Sequence, residues 1–295
     1  MHTPLITVGI PNYNNAKFIA RALDSVIKQT YSDLEIIVVD NNSTDNTDNV
    51  LSGFDDPRIS VIKVNNGGSI AISRNIILDK AQGDWIAFLD SDDWWDLNKL
   101  NECSKYFREG IDLVYHDLKV VFENKGKSLG KSIKSRKLRK PVFQDLLING
   151  NTIATSSVVV RSSMLRRVNG MNESKDMFGI EDFNAWLKIS QITDGFKFVS
   201  KDLGFYRVHD QNNSNDRKFR TPTAAFIEFL PLLTAKELNA MYRNYEYANV
   251  RINFLSNDYA SIKKDLFNLM KKGRLSNRIK AIYMFLIATV KIRSK

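Results

Sequence analysis

The segment FLDSDDWW sets Asp90 and Asp92 two residues apart, with Asp93 directly after them. Carboxylates this crowded repel one another, and a divalent cation relieves that repulsion. Oxygen ligands suit Mg²⁺ or Mn²⁺, ions that keep waters and bind a diphosphate at the same time. The same acids also suit a solvated turn ahead of a helix, where Asp caps free backbone N–H groups. A second acid, Asp40, closes the run LEIIVVD and is followed by Asn41, Asn42 and Ser43. A carboxylate fixed at a strand end can accept the imide or ribose hydrogens of a nucleotide. Ser43 or Thr44 ahead of Asp45 reads equally as a helix cap. The stretch NNGGSIAISRN supplies Gly67 and Gly68, which let backbone approach a ligand closely, and then Arg74, which can serve a phosphate or lock a carboxylate. It is neither a Walker loop nor GxGxxG. FGIEDFNAW places Glu181 and Asp182 after Gly179. An unprotonated carboxylate there can take the proton of an attacking hydroxyl as general base, whereas acids in a first helical turn are also favoured by the backbone dipole.

The elements that must position these residues follow from hydrophobic periodicity. LITVGIPNY, LEIIVVDNNSTD with its polar end, ISVIKVNN and DWIAFLDSDDWW, which ends in acids, read as strands. Between them, Phe18, Ile19, Ala22, Leu23, Val26 and Ile27 fall at helical spacing, as does SIAISRNIILDKA. This alternation predicts an α/β fold with a mixed, mainly parallel sheet flanked by helices. Ligands in such sheets bind beyond the carboxyl ends of the strands, so Asp40 and Asp90–Asp93 should face one crevice. In the second half, DLVYHDLKVVFEN, TSSVVVR and FKFVSKDLGFYRVH read as strands, and GIEDFNAWLKISQI as a helix opening on its two acids. From Thr223 onward the pattern is helical. The expected division is a domain over 1–215, with halves 1–100 and 101–215, and a helical C-terminal region over 216–295.

Composition narrows the classes. A chain of 295 residues with 43% hydrophobic content supports a full core. One cysteine, Cys103, excludes an internal disulfide and, without neighbouring Cys or His, a zinc site. A reducing compartment, no secretion signal and no membrane span are the expectations. The longest nearly apolar run, 281–290, falls well short of the ~20 residues a spanning helix needs. The net charge of +10 is localised: residues 261–295 hold ten Lys or Arg against one acid, Asp265, and 125–140 hold eight against none. The rest of the chain is net acidic.

Taken in order, TVGIPNYNNAKFIARALDSVIKQTYSDLEIIVVDNNSTDNT, NNGGSIAISRN, GDWIAFLDSDDWW, GIEDFNAWLKIS and FYRVHDQNNS resemble the signature of the family-2 inverting glycosyltransferases with the GT-A fold. The resemblance runs from about Ile6 to Ser214. It implies that Pro11 and Tyr13 flank the base of a nucleotide sugar, that Asp40 contacts its uracil or ribose, and that Asn42, Gly67, Arg74 and Asp90 lie on the donor side. It implies that Asp90 and Asp92 form the DxD element, with Asp92 the direct ligand of Mn²⁺ or Mg²⁺. Asp182 matches the general base, with Glu181 beside it, and Arg207 and His209 become candidates for phosphate or metal contact. Asn41 departs from the second Asp of many relatives. The activity implied is inverting hexosyl transfer from a UDP-sugar to a saccharide hydroxyl in cell-surface polysaccharide assembly, such as O-antigen or capsule. Residues 1–100 would then bind the donor and 101–215 the acceptor.

Two basic stretches remain. Leu275, Ile279, Ile282, Leu286 and Val290 share one helical stripe, widened by Tyr283 and Ile287, with Lys and Arg before and after. This is the pattern of a helix lying in a membrane interface, where each cation near anionic lipid contributes roughly 1 kcal/mol. It places the protein peripherally on the inner face of the cell membrane, beside an acceptor carried on a polyprenyl diphosphate. A helix packed on the catalytic domain with a basic rim is the other reading. The stretch 125–140 reads either as a contact for acceptor diphosphate or lipid headgroups, or as a solvated hairpin. A sugar-1-phosphate nucleotidyltransferase would share the crevice and metal, but PNYNNAKF stands where its Gly-rich loop belongs. A nucleic-acid-binding protein would interleave its basic patches with aromatics across one face, which is not evident here.

Overall fold

The computed structural model describes residues 3–123, 128–209, 223–255, 258–259, 261–272 and 275–293. The chain forms two compact units, one of Met1–Phe143 with Thr152–Asn213, the other of Gln144–Asn151 with Ser214–Lys295. The boundary expected at residue 215 falls outside the described residues.

The first unit is built on a nine-stranded sheet, in the order β3-β2-β1-β4-β8-β6-β9-β5 with β7 added to β6. Its strands are β1 (Ile6–Asn12), β2 (Leu34–Asp40), β3 (Ile59–Lys63), β4 (Trp85–Phe88), β5 (Trp94–Trp95), β6 (Leu113–Phe122), β7 (Ser128–Ile133), β8 (Val159–Arg161) and β9 (Phe196–Val208). β1–β4 are mutually parallel and β9 runs parallel to β6, while β5, β7 and β8 pair antiparallel with their neighbours. The sheet is therefore mixed and mainly parallel. Helices α1 (Ala16–Ile27), α2 (Thr47–Ser52), α3 (Ile70–Lys80), α4 (Lys99–Ser104), α5 (Val142–Asn149), α6 (Ser162–Arg167) and α7 (Glu181–Ile192) connect the strands; most of α5 belongs to the second unit.

β1 and β2 are buried on both faces, as their continuous β-branched runs dictate. After β3 the chain returns through α3 to the other side of β1 and enters β4. That reversal leaves a crevice beyond the carboxyl ends of β1 and β4. The turn that follows β4 breaks what reads in sequence as one continuous strand. Asp93 N–H donates to the Asp90 carbonyl at 3.0 Å, and the two tryptophans form β5 against β9. Burial drives this: Trp94 stacks on Phe205, centroids 5.0 Å apart. Within the basic stretch 125–140, Ser128–Ile133 pairs antiparallel with β6, in keeping with the hairpin reading; residues 124–127 lie outside the described residues.

The second unit holds α8 (Thr223–Phe226), α9 (Ala235–Leu255), α10 (Lys263–Lys272) and α11 (Leu275–Arg293). Its core joins Val250, Ile262, Leu266, Leu269, Ala281 and Met284.

Just ahead of β4, a Cβ on Gly83 would sit 2.5 Å from Thr7 N in β1 and 2.9 Å from the Leu5 carbonyl that precedes that strand. Backbone cannot step aside as a side chain does, so β1 and β4 would separate at their amino ends, the far end from the acidic turn. Gly83→Ala is expected to destabilise by about 1–3 kcal/mol, measured by urea denaturation; an unchanged midpoint would show that the two strands need not approach so closely.

Candidate active site

Parallel register brings Asn12 beside Asp40 at the ends of β1 and β2. The Asp40 carboxylate is buried and accepts from Asn12 Nδ2 at 2.7 Å, Ser43 Oγ at 2.5 Å and Ser43 N at 3.1 Å. Asn14 and Asn42 take left-handed backbone (φ 49° and 55°), which Asn tolerates better than most residues, and so turn the two strand ends. Asn41 is buried, and its side-chain oxygen accepts from Asn66 N at 3.0 Å. The departure at Asn41 therefore ties the β2 end to the turn bearing Gly67 and Gly68. Those glycines sit at φ 68° and 86°, and a Cβ on either would meet nothing within 4 Å. Pro11 is buried in β1, while Tyr13, Asn42 and Gly67 are exposed.

The turn also aims Arg74. Ser69 caps α3 by accepting from Ile72 N, and one turn later Arg74 projects into the protein, 3% exposed. Its guanidinium donates from Nη1 to Glu181 Oε1 at 2.6 Å and from Nη2 to Asp90 Oδ1 at 2.7 Å. Burial opposes its charge, but Asp90, Glu181 and Asp182 outweigh that and raise its pKa. Of the two functions open to Arg74 in sequence, the structure displays the carboxylate lock. Arg74 Nε and Glu181 Oε2 are buried with no hydrogen-bond partner among the described residues.

Asp182 follows Glu181 in the first turn of α7, after the left-handed Gly179. Its Oδ2 accepts from Thr155 Oγ1 at 2.8 Å and its Oδ1 from Phe183 N at 2.6 Å. Thr155 opens the short 3₁₀ segment Thr155–Ser157, whose Ser156 Oγ accepts from Asp90 N at 3.2 Å. The base candidate and the acidic turn are thus joined twice, through Arg74 and through this segment. Burial and the neighbouring Glu181 carboxylate push the Asp182 carboxyl up to about 6, against the pull of Arg74.

On the other flank, β9 is fastened to the acidic turn. Arg207 N donates to Asp93 Oδ1 at 3.0 Å, and Arg207 Nε donates to the Asp92 carbonyl at 3.0 Å. Its guanidinium lies 4.5 Å from the Phe18 ring centroid and 4.9 Å from that of Trp94. His209 Nε2 is 2.9 Å from Asp92 Oδ2. Asp93 is fully buried, and burial with repulsion from Asp92 and Asp90 holds its carboxyl well above the usual range. The remainder of FYRVHDQNNS after His209 lies outside the described residues.

Asp90, Asp92, Arg74, Glu181, Asp182, Arg207 and His209 thus belong to one connected network. Asp40 and Pro11 stand at the neighbouring strand ends. No three His, Cys, Asp or Glu side chains converge as a ready metal cage among the described residues. Mg²⁺ and Mn²⁺ are held by one or two protein groups together with substrate phosphates, and the Asp92–His209 pair offers one oxygen and one nitrogen donor. Sequence reasoning gave no function to Asn12, Thr155 or Ser156. Thr155 read only as the first residue of the strand TSSVVVR, which the structure starts at Val159, and its partner Asp182 is 27 residues away.

Comparison with known proteins defines the class first. The fold matches a mannosyltransferase from Pyrobaculum calidifontis solved with GDP-Man and Mn²⁺, at a TM-score of 0.62 and 17% identity, covering 98% of this chain and 81% of that one. That likeness shows the fold, which is GT-A. More particularly, the chain belongs to glycosyl transferase family 2, whose description matches residues 7–168. An uncharacterized glycosyltransferase of Nostoc sp. is 30% identical over 70% of this chain and 66% of its own length. The UDP-Glc:α-D-GlcNAc-diphosphoundecaprenol β-1,3-glucosyltransferase WfgD of Escherichia coli is 32% identical over 73% of this chain and 81% of its own length. The family assignment displaces the nucleotidyltransferase and nucleic-acid readings.

Arg74→Ala strands Glu181 without its counter-charge, and should lower stability by about 3–5 kcal/mol in chemical denaturation; a loss under about 1 kcal/mol would mean the pair is not buried as described. Asp182 provides a pH test. Its folded-state pKa is raised, so the folded protein favours the protonated form, and stability falls as pH rises from about 4 towards about 6. Asp182→Asn should therefore stabilise by about 1–3 kcal/mol at pH 7.5 and leave stability unchanged near pH 3.5. A destabilised variant at pH 7.5 would contradict this sign.

Proposed function

We propose that the protein is an inverting hexosyltransferase that moves a sugar from a UDP-sugar to a saccharide hydroxyl carried on a polyprenyl diphosphate. The observation that carries this reading is the Arg74 bridge, which sets a carboxylate pair from α7 beside the acidic turn after β4. The E. coli relative, named for UDP-Glc and a GlcNAc-diphosphoundecaprenol, supports the donor and acceptor classes. Cell-surface polysaccharide assembly, of the O-antigen or capsule kind, is the setting, and such an acceptor confines the enzyme peripherally to the inner face of the membrane. In this reading 1–215 is the catalytic domain, with donor binding in 1–100 and acceptor binding in 101–215.

Each residue has a defined task. Asp40, held by Asn12 and Ser43, accepts the hydrogens of the uracil or ribose, with Pro11, Tyr13 and Asn42 around the base and Gly67 allowing backbone approach. Asp92 and His209 would hold Mn²⁺ or Mg²⁺, with Asp90 contributing through the oxygen that Arg74 leaves. Bound there, the cation would offset the negative charge that develops on the leaving diphosphate. Arg207 adds a fixed positive charge on the same side. Asp182 takes the acceptor hydroxyl proton while that oxygen attacks the anomeric carbon, and the bond to the diphosphate breaks on the opposite face. One displacement inverts the centre, so an α-linked donor gives a β-glycoside. Glu181 acts through Arg74 and keeps Asp182 in place.

A carboxyl near pKa 6 is mostly ionised at neutral pH yet basic enough to share the proton in the transition state. Turnover should decline as pH drops through about 6, where an ordinary Asp would hold its rate down to about 4. The test is a panel of nucleotide sugars, assayed for hydrolysis and for transfer to undecaprenyl-diphosphate saccharides with Mn²⁺ present. At least one UDP-sugar should be consumed. Asp182→Asn should abolish transfer, at least about 10³-fold, while retaining donor binding by calorimetry. Near-normal turnover in that variant removes Asp182 from the role, and release of diphosphate from a nucleoside triphosphate would point to different chemistry.

A further inference from the structure

The second unit turns an apolar stripe outward. α11 packs through Ala281, Met284 and Ala288, all buried, against a core that includes Val250, Ile262, Leu266 and Leu269. Half a turn round the same helix, Ile279, Ile282, Tyr283 and Leu286 are 63%, 48%, 64% and 60% exposed. Their spacing of three and four residues puts all four on one face of a 3.6-residue helix. A helix that has already buried one face against its own unit ordinarily carries polar residues on the other. This one carries three aliphatics and a tyrosine.

Charge identifies what would cover them. Lys280, beside the stripe, is exposed, and α10 adds exposed Lys263, Lys264 and Lys271, the last 4.3 Å from the ring centroid of exposed Phe267. Residues 261–295 carry ten Lys or Arg against Asp265 alone. No helix among the described residues is long and apolar enough to cross a membrane. An apolar strip on a lysine-rich pair of helices, with Tyr at its edge and too short to span, matches a bilayer surface: acyl chains below, anionic headgroups around them. A second copy of this chain would bring the same positive charge to the contact and so repel it.

We propose that the exposed stripe of α11, with the lysines of α10, binds the surface of an anionic lipid bilayer. The binding rests on the polyprenyl-acceptor reading only for its purpose, since it requires no catalysis. Ile279, Ile282, Tyr283 and Leu286 enter the boundary between headgroups and acyl chains, and the lysines neutralise headgroup charge, which makes the attachment sensitive to salt.

The test is flotation of the full chain with vesicles of phosphatidylcholine alone or mixed with phosphatidylglycerol. Wild type should float with the anionic vesicles, remain behind with phosphatidylcholine alone, and detach as salt is raised. A variant combining Ile279→Ser, Ile282→Ser, Tyr283→Ser and Leu286→Ser should lose binding by roughly tenfold or more, while its thermal melt and donor hydrolysis match wild type. Equal flotation of the two proteins overturns the proposal, as does a folded wild type that never floats. Conversion from dimer to monomer by the variant, without wild-type flotation, would assign the stripe to a second copy and likewise overturn it. Donor hydrolysis, read in parallel, separates these outcomes from failure of the transferase reading: flotation without hydrolysis leaves the lipid surface standing and removes the enzyme assignment.

Discussion

A buried guanidinium cannot stay charged without partners, and Arg74 has two: Glu181 on one side and Asp90 on the other. These partners lie 107 and 16 residues away in sequence, yet both bonds are under 3 Å. The arrangement fixes three elements at once: α3 by its own Arg, the turn after β4 by Asp90, and the start of α7 by Glu181. Buried ion pairs of this kind contribute little net stability compared with apolar packing, because desolvation offsets most of the attraction. What the pair supplies is position. It is one of two ties that hold the carboxylates from opposite halves of the unit near each other.

The rest of the site is arranged around that lock. The Thr155–Ser157 segment reaches both Asp182 and Asp90, so the base candidate and the acidic turn share a second scaffold. Arg207 and His209 close the same turn from β9. Asp93, buried and held above the usual carboxylate range, takes its hydrogen bond from the β9 backbone and so fixes the turn. Three adjacent acids thereby acquire three environments: Asp90 paired with Arg, Asp92 against His, and Asp93 buried. The family description ends at residue 168, so Glu181, Asp182, Arg207 and His209 draw their place in the site from this geometry.

Much of this was legible in the sequence, and the reasons are local. The β1–β4 strands announce themselves as short apolar runs, β2 as a continuous β-branched one, and acids at the carboxyl ends of β2 and β4 follow from the topology that such runs build. Asp182 shows why spacing alone leaves readings open: it does occupy a first helical turn, where the dipole favours acids, and it is also half-buried, with Thr155 donating to it. Only tertiary contact separates the two. Arg74 was open between phosphate and carboxylate for the same reason, since both partners come from distant segments. The break between β4 and β5 was hidden because FLDSDDWW keeps strand-forming residues on both sides of a turn. The pairing of residues 128–133 with β6 follows the hairpin reading of the basic stretch, which charge alone left level with a diphosphate or headgroup contact. The stripe on α11 was visible by periodicity, whereas which way it faces depends on Ala281, Met284 and Ala288 filling the core of their own unit.

The central claim is spatial: a nucleotide diphosphate and the Asp182 carboxylate must meet across the Arg74 lock. A crystal structure with Mn²⁺ and a non-hydrolysable UDP-sugar measures this directly. The diphosphate should lie against Asp92 and His209, the uracil beside Asp40, and the anomeric carbon should turn its open face towards Asp182, with Arg74 still bridging Glu181 and Asp90. A nucleotide bound elsewhere, or an Asp182 walled off from the sugar, would contradict the account.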